Sequence, residues 1–140
     1  MFMKKSVSVL IFILLCGVIL GVYTVFGDES DEAKCRDFLA SYGWAVSEKA
    51  TDFAEITVPN TFDRVYGNYN ELQKTSGLDI SPYRGKTGKR YTFTVLNYPS
   101  DVGEPVYANV IIIDGVAIAG DIMTVSLSGF MHGVAENTPK

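Results

Sequence analysis

From Val7 to Phe26 the chain runs twenty residues without one charged side chain, and no other feature limits its fold and setting so strongly. At 1.5 Å rise per residue, a helix of that length spans about 30 Å, the thickness of a bilayer's hydrocarbon core. Lys4 and Lys5 precede the run, and Asp28, Glu29, Asp31 and Glu32 follow it. Basic residues resist translocation. The asymmetry therefore predicts a cytoplasmic N-terminus (1–6), a transmembrane anchor (7–26) in the plasma membrane, and an extracytoplasmic remainder. A cleaved secretory signal is the competing reading, with Val25 and Gly27 as a small-residue site before Asp28. Its apolar core is usually about 7–15 residues, shorter than this one. Leu14 and Leu15 precede Cys16 where lipid attachment needs a small residue, so Cys16 is not read as lipidated.

Beyond the anchor, just over a hundred residues remain, enough for one core and too few for two. This part carries ten basic against sixteen acidic residues. Such a balance supplies no positive field for a nucleic acid or an anionic lipid surface. Cys16 and Cys35 fall on different sides of the anchor boundary, which excludes an intrachain disulfide framework. Cys35, Phe38, Leu39 and Tyr42 recur at helical spacing and predict a buried apolar stripe with the thiol inside it.

A stalk (27–32) leads into this first helix, with Ser30 as cap and Asp31 and Glu32 at its positive end. Glu32 and Arg36 are spaced for an ion pair, and Gly43 ends the helix. Ile56 and Val58 mark a strand that Pro59 stops. Asn60 or Thr61 then caps a second helix, whose apolar face is Phe62, Val65, Tyr66, Tyr69 and Leu72, and Gly77 closes it. That face reads as packed on a sheet, with a ligand-facing aromatic shelf as the alternative. Gly67, inside the helix, suggests a close backbone approach. Arg90 to Tyr98, Val106 to Ile113 and Val116 to Leu127 read as strands. The middle one is apolar enough to be covered on both faces. Asp114-Gly115 predicts a two-residue type I′ hairpin, and Gly120 a bulge in the return strand. The fold class expected is α+β: two helices on one face of an antiparallel sheet of about four strands, over 33–134. Residues 135–140 read as a frayed tail.

Candidate chemistry is sparse. His132 is the single histidine, and Asp121 and Ser126 or Ser128 lie near it in sequence without a nucleophile-elbow pattern. One histidine and one cysteine beyond the anchor are too few ligands for zinc, so no metal or cofactor is expected. Asp121 stands in an apolar strand, where a carboxylate faces solvent, accepts backbone hydrogen bonds at a bulge, pairs with Arg90, or faces a ligand. Arg84, Lys86, Lys89 and Arg90 lie within seven residues with two glycines and no acid. They form a candidate contact for an anionic group, a wall polymer or an acidic partner. Phe130 and Met131, between Gly129 and Gly133, form a candidate apolar anchor.

FLASYGWAV (Phe38 to Val46), FDRVYGNYNELQKTSGLDIS (Phe62 to Ser81), YRGKTGKRYTFTVLNYP (Tyr83 to Pro99) and AGDIMTVSLSGFMHG (Ala119 to Gly133) resemble one family. It is a group of small membrane-anchored bacterial proteins, domain of unknown function 4830, best known from Gram-positive species. Ala119 departs from a glycine-richer form of the last block. The resemblance implies an anchor with one outward domain, and no catalytic residue, cofactor or partner comes with it. The function expected is a non-enzymatic binding or interaction module of the cell envelope. The alternatives are a small-ligand binder or hydrolase-type enzyme using a pocket shared by Asp121 and His132, and a structural subunit of a membrane assembly.

Overall fold

A computed structural model of the protein describes residues 30–140. The apolar segment Val7–Phe26 lies outside them, and among the described residues no helix is long and apolar enough to cross a membrane. Two helices and five strands follow in the order α1 (Asp31–Ser41), β1 (Asp52–Thr57), α2 (Arg64–Lys74), β2 (Thr87–Thr94), β3 (Tyr107–Ile113), β4 (Val116–Met123) and β5 (Met131–Gly133). The strands form one antiparallel sheet in sequence order, with five members rather than about four. The extra strand is β5, whose three residues are too few to show an alternation in sequence.

The helices lie on opposite faces of this sheet, not on one. Ala108, Val110 and Ile112 of β3 pack with Cys35 and Leu39 of α1, and Phe38 and Tyr42 complete the stripe. Ile111 and Ile113, the alternate residues of β3, pack with Tyr66 and Tyr69 of α2. A strand apolar at nearly every position needs cover on both sides, and one helix on each side supplies it. The Cys35 thiol is fully buried, and burial, helped by Asp31 and Glu32, pushes its pKa up to about 12. A thiol held protonated in this way is inert packing.

Local signals explain the helix ends. Gly43 has φ +92°, and the amides of Gly43 and Trp44 turn back onto Ala40 and Leu39. Gly77 closes α2 with the same pair of bonds, from Gly77 to Lys74 and from Leu78 to Gln73. The cap of α2 is Asp63, not Asn60 or Thr61: its carboxylate accepts from Tyr66 N at 2.8 Å. The Glu32–Arg36 pair does not form. Glu32 instead accepts from Ala50 N and Arg36 donates to the Glu48 carbonyl, so both side chains hold the loop before β1.

No close approach explains Gly67, since a Cβ there would meet nothing within 4 Å. Gly67→Ala is therefore expected to raise stability by about 0.5–1 kcal/mol, read as a higher denaturation midpoint.

The hairpin between β3 and β4 turns on Asp114 and Gly115, whose φ angles are 50° and 75°, both positive as a type I′ turn requires. From it, Ile113 pairs with Val116 and Ile112 with Ala117, but Ile111 pairs with Ala119, leaving Ile118 as an extra residue. This bulge lies two residues before Gly120. It shifts everything beyond it by one, so Asn109 stands opposite Asp121. Were the same residues paired without the bulge, Asp121 would stand opposite Ala108, on the α1 face.

Candidate functional site

α2 covers only part of its face of the sheet. It starts beside Ile56 of β1 and ends where Thr75 and Ser76 crowd Gly133 of β5. Alongside it an open groove of about 900 Å³ crosses the strands. Its walls include Val65, Tyr69 and Leu72 of α2, with Met123, Val125 and Met131 on the other side.

One row of side chains at a single register level crosses its floor: Asp52, Thr92, Asn109 and Asp121, from β1 to β4. The row is joined by hydrogen bonds. Thr92 Oγ1 donates to Asn109 Oδ1 at 2.6 Å, and Asn109 Nδ2 donates to Asp121 Oδ1 at 2.9 Å. Tyr69 Oη reaches down from α2 and donates to Asp121 Oδ2 at 2.8 Å. Asp121 is only 2% exposed. Burial raises its pKa, against the opposing effects of the Asn109 and Tyr69 hydrogen bonds and the Arg90 and His132 charges. The Tyr69 hydroxyl is held well above its ordinary range, first by burial and then by Asp121. On a sheet face otherwise apolar, such a row persists because every member has a partner.

Arg90 comes from the next row and lines the same groove. One of its terminal nitrogens lies 3.6 Å from Asp52, and its Nε is buried without a hydrogen-bond partner. The Asp52 side chain is 65% exposed, so this pair is weak and its carboxylate is open to other contacts.

The four clustered cations do not converge. The stretch is half turn and half strand, since β2 starts at Thr87 rather than Arg90. Its alternation sends Lys89 and Arg90 to opposite faces. Arg84 stacks 4.2 Å above the Phe62 ring, Lys86 lies 3.8 Å from Asp114, and Lys89 lies 3.2 Å from Asp31.

Asp121 and His132 are likewise separated. His132 pairs with Ile122, and so faces α1, while Asp121 faces α2. The imidazole is buried between Trp44 and Phe130, with ring centroids 6.2 and 5.5 Å away. Its Nδ1 lies 2.8 Å from the Gly133 carbonyl, which can only accept, so this nitrogen carries the proton. Nε2 is hydrogen-bonded with the Tyr98 hydroxyl at 2.9 Å. Both ring nitrogens are occupied in packing. Ser126 lies in the loop after β4, bonded to Glu104. Of the Gly129 to Gly133 segment, Met131 is exposed at the groove and Phe130 packs toward the α1 core.

Of the sequence candidates, the groove contains Asp121, Arg90, Met131 of the apolar anchor, and Val65, Tyr66, Tyr69 and Leu72 of the aromatic helix face whose alternative reading is a ligand-facing shelf; Asp52, Thr92 and Asn109 are not singled out by the sequence. Their signal is the hairpin, because counting back from Asp114-Gly115 through one bulge places Asn109 beside Asp121.

No curated protein and no solved structure matches this chain. The model of a family described as Domain of unknown function (DUF4830) matches residues 38–122, a span that takes in α2 and every member of the polar row. The match covers more than half of the chain, and the protein is a member of the DUF4830 family.

Proposed function

We propose that this chain is a membrane-tethered, non-catalytic binding domain of the cell envelope, with its ligand taken up in the groove beside α2. The observation that carries the reading is the hydrogen-bonded Thr92–Asn109–Asp121–Tyr69 chain on the floor of a mainly apolar groove of about 900 Å³. A few placed polar groups among apolar walls are what a ligand site needs for orientation and affinity together. Proton-transfer chemistry has less support, since Asp121 and His132 face opposite sides of the sheet. The tether rests on the twenty-residue apolar run and its flanking charges. α1 begins at Asp31, which pairs with Lys89 near the β3–β4 hairpin.

A photoreactive benzoylphenylalanine in the full-length protein, irradiated in cells, tests the site. At Val125, on the groove, it is expected to give a discrete adduct. At Phe53, exposed on the other face, it is expected to give none. Equal labelling from both positions, or labelling from Phe53 alone, would overturn the groove as the site.

A further inference from the structure

We infer that the groove's ligand is a cationic amphipathic peptide segment of a partner protein, lying across the strands beside α2; this rests on the groove being the binding site. Shape is the first argument. β2 and β4 each have eight residues, and at about 3.3 Å per residue they run some 26 Å. Helices pack about 8–10 Å apart, so the face has width for two lying across it. α2 fills one lane. The groove is the second, bounded by the side of α2 that carries Val65, Tyr69 and Leu72.

Apolar contact is the second argument. Val65 is 73% exposed, Val125 71% and Met131 48%, and all three line the groove. Exposed apolar side chains gathered around one concavity mark an interaction surface, and methionine adapts its shape to what lies on it.

Charge selects among apolar ligands. The groove sets one guanidinium, Arg90, against two carboxylates, Asp52 and Asp121, in a chain whose net charge is −4. Arg90 already has Asp52 beside it, so a fatty acid or a wall polyanion would meet excess negative charge. A lysine or arginine would meet the exposed Asp52 carboxylate while the segment's apolar side chains cover Val125 and Met131.

The test uses full-length protein in neutral phosphatidylcholine nanodiscs and a fluorescent helical peptide of leucine and lysine, with empty nanodiscs as blank. Anisotropy is expected to show saturable binding, weakened about tenfold when glutamate replaces lysine in the peptide. Asp52→Asn and Glu55→Gln remove equal charge from β1 but on opposite faces of the sheet. Asp52→Asn is expected to weaken binding about tenfold, and Glu55→Gln to leave it within about twofold. Equal loss from both variants, or equal binding of the glutamate peptide, would overturn the inference. An adduct at Val125 without peptide binding would overturn the ligand class and leave the groove standing. Failure of both experiments would remove the groove.

Discussion

Replacing Trp44 with alanine is expected to remove about 3–5 kcal/mol of unfolding free energy, the cost of deleting a large buried aromatic. Trp44 is 2% exposed. Its indole N–H donates to the Val134 carbonyl at 2.8 Å, and its ring stacks on Tyr98 at 5.8 Å. It therefore ties the end of α1 to the last strand through contacts no neighbour can replace. Small domains hold only about 5–15 kcal/mol in total, so the variant should lose a substantial fraction of it. Urea unfolding followed by circular dichroism should show a lower midpoint with an unchanged slope. A loss under about 1 kcal/mol would mean that this cluster relaxes into the cavity.

Asn109→Leu comes next in size, and its cost depends on pH. Leucine keeps roughly the volume but leaves one Asp121 oxygen without a donor and Thr92 without its acceptor. Stranding buried polar groups costs about 1–3 kcal/mol each, more when one is charged. The native Asp121 carboxyl already has its pKa raised above the ordinary 3.8 by burial. The folded chain thus binds this proton more tightly than the unfolded chain. Stability from this group is full at low pH and falls as pH rises from 3.8 through the raised value. Losing the Asn109 donor raises the folded pKa further. The deficit of the leucine variant should therefore be smallest in acid, where the stranded Thr92 hydroxyl sets it, and grow with pH. In an Asp121→Asn background the growth should vanish. A deficit independent of pH would show that the lost donor does not act through Asp121.

Much of the architecture was legible wherever one residue type admits one physical role. Asp114-Gly115 marks a hairpin because both positions need positive φ. Gly43 and Gly77 mark helix ends for the same reason, and Cys35 with its stripe marks a buried face. The misses share a different cause. β3 is apolar but for Asn109, which says that it is covered twice but does not say by which helix. Thr87-Gly88-Lys89 has the composition of a loop, and only pairing with Ile56 and Thr57 makes it strand. Asp63 displaced the expected caps because the helix begins later than its aromatic pattern. The polar row was hidden for a stronger reason. Its members come from four strands; only Asn109 and Asp121 share a hairpin, and there the bulge at Ile118 sets their pairing in a way the turn alone does not reveal.

The extra residue at Ile118 makes the identity of that row a matter of parity. Which face a side chain of β4 takes is decided by whether an odd or even number of residues separates it from the turn, and the bulge changes odd to even. Among members of this family, a chain one residue shorter that loses the bulge as well would keep the aspartate opposite Asn109, whereas a chain of this length with an unbroken ladder would carry it into the other core, beneath α1. Alignment would match the letter while the groove lost its floor. Comparisons within the family therefore need both the number of residues between Gly115 and Asp121 and the presence of the bulge before any acidic side chain at that position is assigned to the groove.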